Sequence, residues 1–506
     1  MPLFESTLVL LAIAVVLLQA ARRLRVPYPA MLALAGGCVA ALPFAPHLSI
    51  EPRLALALFV APAVMDTAFD MPPREMLRIW LPLTSLAVVL VLVTTAAVAW
   101  VGWAIAGLPL AAAVALGAIV APPDAAAAAA VLREFNLPRR TLAVLQGESL
   151  LNDAVALLAF GFAVSAAVSP GYASSALLPR LLIAVPGGAL LGAASGLLGI
   201  RVIRKMAGTL SSIIVQFLLT FGTWMLAERL SLSPIVAVVA AAAVAAHYMP
   251  ARTSARDRVN SYAVWAAVVF VLNVLAFLLM GLQARVILSQ LPADALRHAL
   301  IFAAIVLGLV IGVRFLWVMT YGMVARFFGA SVPPARIGVL VSWCGMRGLV
   351  TLATAFALPP EFPGRNVIVL SAFTVVLGTL IIQGFTIRPL IALLRIGPDH
   401  SLAREVAEAR RAMLDAALNE LEGYTGEAAD ALRGEYRAAR LAGGDPARPA
   451  TQYDDLRMLA VAAQRRLLVE LRRHGQIFDD AYHLLEDELD RAELHAAVLG
   501  TTSLEG

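Results

Sequence analysis

Hydrophobic positions in the first 397 residues neither alternate nor keep to one helical face. They come in long runs broken by short polar, Pro- or Gly-containing stretches. A helix needs about 20 apolar residues to cross a bilayer, and backbone in hydrocarbon must close its own hydrogen bonds. The runs predict about thirteen spanning helices: 5–21, 27–46, 52–70, 77–104, 109–132, 139–168, 177–203, 209–228, 232–249, 259–282, 296–323, 335–358 and 366–395. Beyond 397 the pattern changes. Apolar residues recur every third or fourth position through Ala409–Leu441, Tyr453–Leu471 and Asp479–Leu499, with Gly443-Gly444-Asp445-Pro446 between the first two. That spacing predicts amphipathic helices. The chain therefore reads as an all-α polytopic membrane unit, 1–397, followed by a helical tail, 398–506.

Composition supports this division. The chain is 60% hydrophobic and 14% charged, with mean hydropathy +0.83. Soluble domains carry about 25% charged residues, so a string of them is excluded. A net charge of +5 raises the question of a nucleic-acid partner, but the tail holds 13 Arg against 21 acids and is itself acidic. The positive excess lies in the membrane unit, in alternate loops, and no nucleic-acid partner is expected. With the N-terminus outside, the inside loops hold Arg22/Arg23/Arg25, Arg74/Arg78, Arg133/Arg139/Arg140, Arg201/Arg204/Lys205, Arg252/Arg256/Arg258, Arg326/Arg336 and Arg388/Arg395. The outside loops hold only Arg53, Arg180, Arg229, Arg285, Arg297 and Arg365. Cations concentrate on the cytoplasmic side, which puts the tail there and the protein in the plasma (inner) membrane of a cell. Residues 1–21 lack a basic leader and read as a retained first span. Cys38 and Cys344 read as small buried hydrophobes with no disulfide framework.

The chemistry lies in the polar residues that interrupt the runs. Gln146-Gly147-Glu148-Ser149-Leu150-Leu151-Asn152-Asp153 places two acids, a hydroxyl and an amide in an apolar helix. An ionised carboxylate at a helix centre in a bilayer costs roughly 2.5–3.5 kcal/mol on insertion scales. Glu148 and Asn152 are four apart, as are Ser149 and Asp153, so each pair shares a face. Such a group is expected to serve ions or protons. In Ala121-Pro122-Pro123-Asp124 two prolines break another span and free carbonyls that suit alkali cations. Asp124 could cap the half-helix that follows; a plain capped proline kink is the alternative. Arg347 sits mid-span in Ser342-Trp343-Cys344-Gly345-Met346-Arg347-Gly348 and must have a partner. The expected partner is Glu148, which would leave Asp153 uncompensated; Asp124 or a helix C-terminus is the alternative. Asp66, late in the third span, is placed in a cytoplasmic funnel or at the interface. Arg314 is expected to snorkel. Asn273 and Gln383 are expected to join helices by hydrogen bonds.

These segments together resemble the monovalent cation/proton antiporters of the sodium–proton exchanger type, including bacterial NhaP-like proteins. The matching runs are Pro122-Pro123-Asp124, Gln146–Asp153, Phe270–Gln283, Ser342–Leu352 and Gly378–Gly384, in the family's order. The resemblance implies inverted repeats with two broken helices crossing at the midplane, and a homodimer with transport and dimerisation subdomains. It implies that Asp153 is the ion-binding acid, with Asn152 beside it. It also implies a hydroxyl ligand at Ser149 and a buried ion pair of Glu148 with Arg347. Two positions depart from the family pattern. The usual Thr-Asp-Pro is Pro123-Asp124-Ala125, so only a carbonyl of Pro123 remains as a ligand there, and Asp66 stands where a Glu is common. No cofactor and no enzymatic chemistry are expected. The expected activity is electroneutral exchange of Na+ for H+, because a single acid cannot hold a proton and a cation together. K+ exchange, a cation channel and an intramembrane aspartyl protease are the alternatives.

Overall fold

The computed structural model describes residues 2–24, 27–40, 51–71, 73–124, 128, 132, 137–168, 177–206, 209, 211–252, 255–283, 287–288, 293–329, 333–396, 401–442, 452–474, 485 and 489. Every regular element among them is helical. The chain forms two units, Met1–Pro398 and Asp399–Gly506.

The membrane unit begins with α1 (Pro2–Leu24), α2 (Tyr28–Ala40) and α3 (52–69). Next come α4 (Trp80–Ala104), α5 (Leu110–Val120) and α6 (Arg139–Val168). A second set comprises α7 (Leu177–Lys205), α8 (Ser211–Arg229), α9 (Pro234–Arg252), α10 (Ala255–Leu282) and α11 (Ala293–Phe327). The unit ends with α12 (Ala335–Trp343), α13 (Leu349–Phe356) and α14 (Arg365–Leu394). Seven of these are long and apolar enough to cross a membrane, and α2, α3, α5 and α9 carry shorter apolar stretches. Each predicted run meets a helix. The run at 335–358 is two half-helices, α12 and α13. The run at 109–132 stops at Val120, and of its continuation Ala128 and Leu132 are described, both helical. The run at 27–46 extends past Ala40 into residues outside the described set.

The order of helices encodes an inverted repeat. The fifth span after α1, counting it as first, is broken; so is the fifth span counted from α8. The eighth span runs opposite to the first, because an odd number of crossings separates them. Packing follows the same symmetry: α2 packs on α10, while α3 packs on α9, the pairs that such a repeat exchanges. α14 is the most enclosed of the seven long helices. It lies against α11, α5, α12 and α13 and carries much of the core, including Ile368, Val375, Val376, Leu380 and Ile387.

Inside a bilayer the hydrophobic effect does not drive helices together, so close backbone approach has to. α7 meets α9 along Gly188, Gly192 and Gly196, which face Ser233, Ala237 and Ala241. A Cβ at Gly192 would lie 2.8 Å from the Ala237 carbonyl carbon and 2.9 Å from its Cα. α2 and α10 meet at Gly36 and Gly281 in the same way, and Gly117 of α5 lies against the Thr95 backbone of α4. Polar contacts add to this. Ser261 Oγ and Trp265 Nε1 of α10 both donate to Gln216 Oε1 of α8, each at 2.8 Å, and Trp265 stacks on Phe217.

The tail unit contains α15 (Ser401–Leu421), α16 (Glu427–Ala442) and α17 (Gln452–Arg473). α15 and α16 pair through Arg440 Nε and Asp415 Oδ1 at 2.6 Å. That pair is exposed and contributes about 0–1 kcal/mol. The predicted segment at 479–499 lies almost wholly outside the described residues.

Gly192→Val should force α7 from α9 and lower the melting temperature of the detergent-solubilised protein by several degrees, as overpacking by about 1–3 kcal/mol does. Gly222→Ala, whose Cβ meets nothing within 4 Å, should leave it unchanged. Equal melting temperatures for both variants would contradict the packing described.

Candidate functional site

Two interruptions meet in the middle of the membrane unit. Pro122 and Pro123 supply no amide hydrogens, so α5 cannot continue past Ala121. In the second repeat, Cys344–Gly348 leave the helix between α12 and α13. The interruptions touch where the Asp124 amide donates to the Met346 carbonyl at 2.7 Å. Gly348 permits this approach: a Cβ there would fall on the Asp124 side chain, 2.8 Å from its Cβ.

Each half-helix presents partial charge at the break, negative at a C-terminus and positive at an N-terminus. Arg347 answers the C-terminus of α5. Its Nε donates to Val120 O at 3.0 Å, its Nη2 to Ala121 O at 3.0 Å, and its Nη1 to Gly345 O. Its backbone amide donates to Thr379 Oγ1 of α14 at 3.0 Å. Arg314 of α11 answers the C-terminus of α12, donating to Val341 O from Nη2 at 3.0 Å and from Nε at 3.3 Å. Asp124 lies against Gly348, at the positive start of α13. Gly345 leaves room for both guanidiniums: a Cβ there would be 2.6 Å from Arg314 Nε and 3.0 Å from Arg347 Nη1.

Glu148 pairs with Arg314, not with the expected Arg347. The fork is bidentate, with Nη1 on Oε1 and Nη2 on Oε2 at 2.9 Å. Both side chains are 1% exposed. Arg347 needs no carboxylate, because three backbone carbonyls already take its protons. Arg314 does not snorkel. It lies thirteen residues before the end of α11 at Phe327, about 20 Å at 1.5 Å per residue. That is beyond the reach of its side chain. The signal was present in the sequence, since apolar character continues on both sides of Arg314, but ending the span at 323 moved it toward the interface.

With Glu148 and Arg347 occupied, Asp153 is left. It is 7% exposed, and no hydrogen bond or ion pair to its carboxylate exists among the described residues. Asp124 is the acid whose charge it feels. Asn152, one residue back, is fully buried. Its Nδ2 donates to Pro123 O at 3.1 Å, while its Oδ1 has no partner among the described residues. Asn152 thus ties α6 to the first break and keeps an oxygen free. Ser149 is half-buried, on the Asp153 face of α6. Val91, Ala121, Val155 and Ala156 form an apolar cluster next to Asp153 along α6. Asp66 is half-buried one turn before the end of α3, and no described contact joins it to Asp153. The assembled oxygens can take a proton or a dehydrated hard cation.

A family model described as "Sodium/hydrogen exchanger, transmembrane" matches residues 8–393. An uncharacterised Na+/H+ exchanger of Mycobacterium tuberculosis is 31% identical over 509 residues, covering 93% of this chain and 92% of that protein. A sodium, potassium, lithium and rubidium/H+ antiporter of Bacillus pumilus is 31% identical, covering 78% of this chain and 62% of its own. Among solved structures, the sodium proton antiporter MjNhaP1 of Methanocaldococcus jannaschii at pH 8 matches with a TM-score of 0.61 at 18% identity. That match covers 78% of this chain and 99% of the other and is a likeness of fold.

Glu148→Gln and Arg314→Gln should each destabilise the protein by about 3–5 kcal/mol, because each strands a buried charge. The double substitution should cost less than the two together. The matching cycle with Arg347→Gln should show weaker coupling. Thermal unfolding of the five variants in detergent measures both couplings, and stronger coupling to Arg347 would overturn the pairing.

Proposed function

The chain belongs to the sodium/hydrogen exchanger family and is a membrane-embedded cation/proton antiporter, and from that premise we propose that it exchanges one Na+ for one H+ through the carboxylate of Asp153. The observation that carries this reading is the division of charges around the breaks. Glu148 is tied to Arg314, Arg347 to carbonyls, and Asp153 alone keeps its oxygens open.

The chemistry follows from exclusion. Burial favours a protonated carboxyl, whereas a cation at the same oxygens favours the ionised form. A Na+ entering the site sheds water and takes oxygens from Asp153, Ser149, Asn152 Oδ1 and a freed backbone carbonyl near Pro123. Its arrival expels the proton. The loaded site moves across the barrier and opens to the other side, as inverted-repeat transporters do by rocking one part of the fold against another. A proton displaces the cation there, and the protonated site returns. One positive charge crosses in each direction, so the cycle moves no net charge.

The Arg-rich alternate loops support a cytoplasmic tail and a plasma-membrane location, and family resemblance supports a homodimer. A second reading, exchange of K+ alongside Na+, has one observation behind it: the Bacillus pumilus relative is named for four alkali cations.

Asp153→Asn should abolish cation-driven proton movement in proteoliposomes, with the melting temperature kept; retained exchange would overturn the assignment. The unaltered protein should exchange at the same rate when a K+ diffusion potential with valinomycin is imposed, Na+ being the driving cation. A rate that rises steeply with potential would contradict the one-for-one stoichiometry.

A further inference from the structure

Gln383 of α14 is fully buried, and neither its Nε2 nor its Oε1 has a hydrogen-bond partner among the described residues. It therefore does not join helices in this conformation, contrary to the reading from sequence. Its neighbours on the same helix face do. Thr379, Gln383 and Thr386 fall at i, i+4 and i+7, on one face. Thr379 Oγ1 accepts the Arg347 amide at 3.0 Å, and Thr386 Oγ1 accepts Trp343 Nε1 at 2.8 Å. Trp343 and Arg347 are the two ends of the second break. Gln383 lies between these two latches and so faces the break from α14.

The break has groups to offer. α12 ends at Trp343, and helix ends leave carbonyls without intrahelical partners. Val341 O is taken by Arg314 and Met346 O by Asp124, whereas those of Ser342, Trp343 and Cys344 accept nothing further among the described residues. An amide side chain can serve a freed carbonyl through its NH2 or a freed amide through its oxygen. A shift of α12 and α13 along α14 by about one helical turn, about 5.4 Å, would bring one end of the break opposite Gln383.

The geometry points to Gln383 as a positioning residue of the exchange cycle: its amide is idle here and takes the orphan backbone groups of the Trp343–Arg347 break in a second conformation, holding the break there. This rests on the antiport reading above. A buried amide with both ends unpaired disfavours the conformation that strands it, so it biases the protein toward the conformation that pairs it.

The test is Gln383→Met, which keeps the volume and removes the amide, with Gln383→Asn as the conservative partner. Each is purified in detergent for thermal unfolding and reconstituted for cation-driven proton flux against Na+ concentration. For Gln383→Met the melting temperature should hold or rise. The maximal rate should fall about tenfold with the half-saturating Na+ concentration within about twofold of the parent, and Gln383→Asn should recover part of the rate. A lowered melting temperature in Gln383→Met would mean that the amide is already paired in this conformation, and would overturn the inference. So would an unchanged maximal rate, a shift confined to half-saturation, or an Asn variant no faster than the Met variant. Absence of exchange by the parent protein would instead refute the antiport reading, which separates the two failures.

Discussion

Two guanidiniums buried at the crossing of the broken helices determine what every other charge there can do. Arg314 and Arg347 each close the C-terminal end of a half-helix, at Val341 and at Val120 and Ala121. Breaking a helix in a membrane exposes carbonyls to a medium with no water to satisfy them, and only donors held at the break make it tolerable. Arg314 has protons to spare and uses them on Glu148. A buried charge needs both an opposite charge and satisfied hydrogen bonds. Glu148 and the arginines have these; Asp153 does not. The distinction between a structural acid and a working acid, five residues apart on one helix, comes from which of them a guanidinium reaches.

The fold was legible because hydrocarbon imposes one length on every span. All thirteen runs mark helices, and Pro122-Pro123 and the Gly-rich stretch around Arg347 mark the breaks. The candidate site was partly legible. Asp153, Asn152 and Asp124 stand out as polar residues in apolar runs, and the structure joins Asn152 to Pro123. The pairing of Glu148 was misread, since sequence shows which charges need partners and not which are in reach. Arg347 was the obvious cation because its glycines draw attention, yet those glycines free the carbonyls that satisfy it. Gln383 was misread for a related reason: a polar residue on a buried helix face was expected to bond, and contacts across α14 are invisible in one dimension.

Rigidity and mobility are distributed to suit the chemistry. The approach of α7 to α9 and of α2 to α10, through glycines with no room for a Cβ, welds helices into bodies that move as units. The break crossing is held differently, by single hydrogen bonds: Asp124 to Met346, Arg347 to Thr379 and Trp343 to Thr386. Such bonds exchange partners at little net cost, whereas interlocked backbones do not. The acidic tail stands apart as its own unit and is reached by the relatives that match nearly the whole chain, while the family match ends at residue 393.

Proton release on cation binding tests the competition at Asp153 most directly. Calorimetric titration of the purified protein with Na+, in buffers of different ionisation enthalpy, counts the protons displaced. At a pH where the site is protonated, about one proton per bound cation is expected, and Asp153→Asn should release none. Cation binding without proton release, or release that survives in Asp153→Asn, would contradict a shared carboxylate.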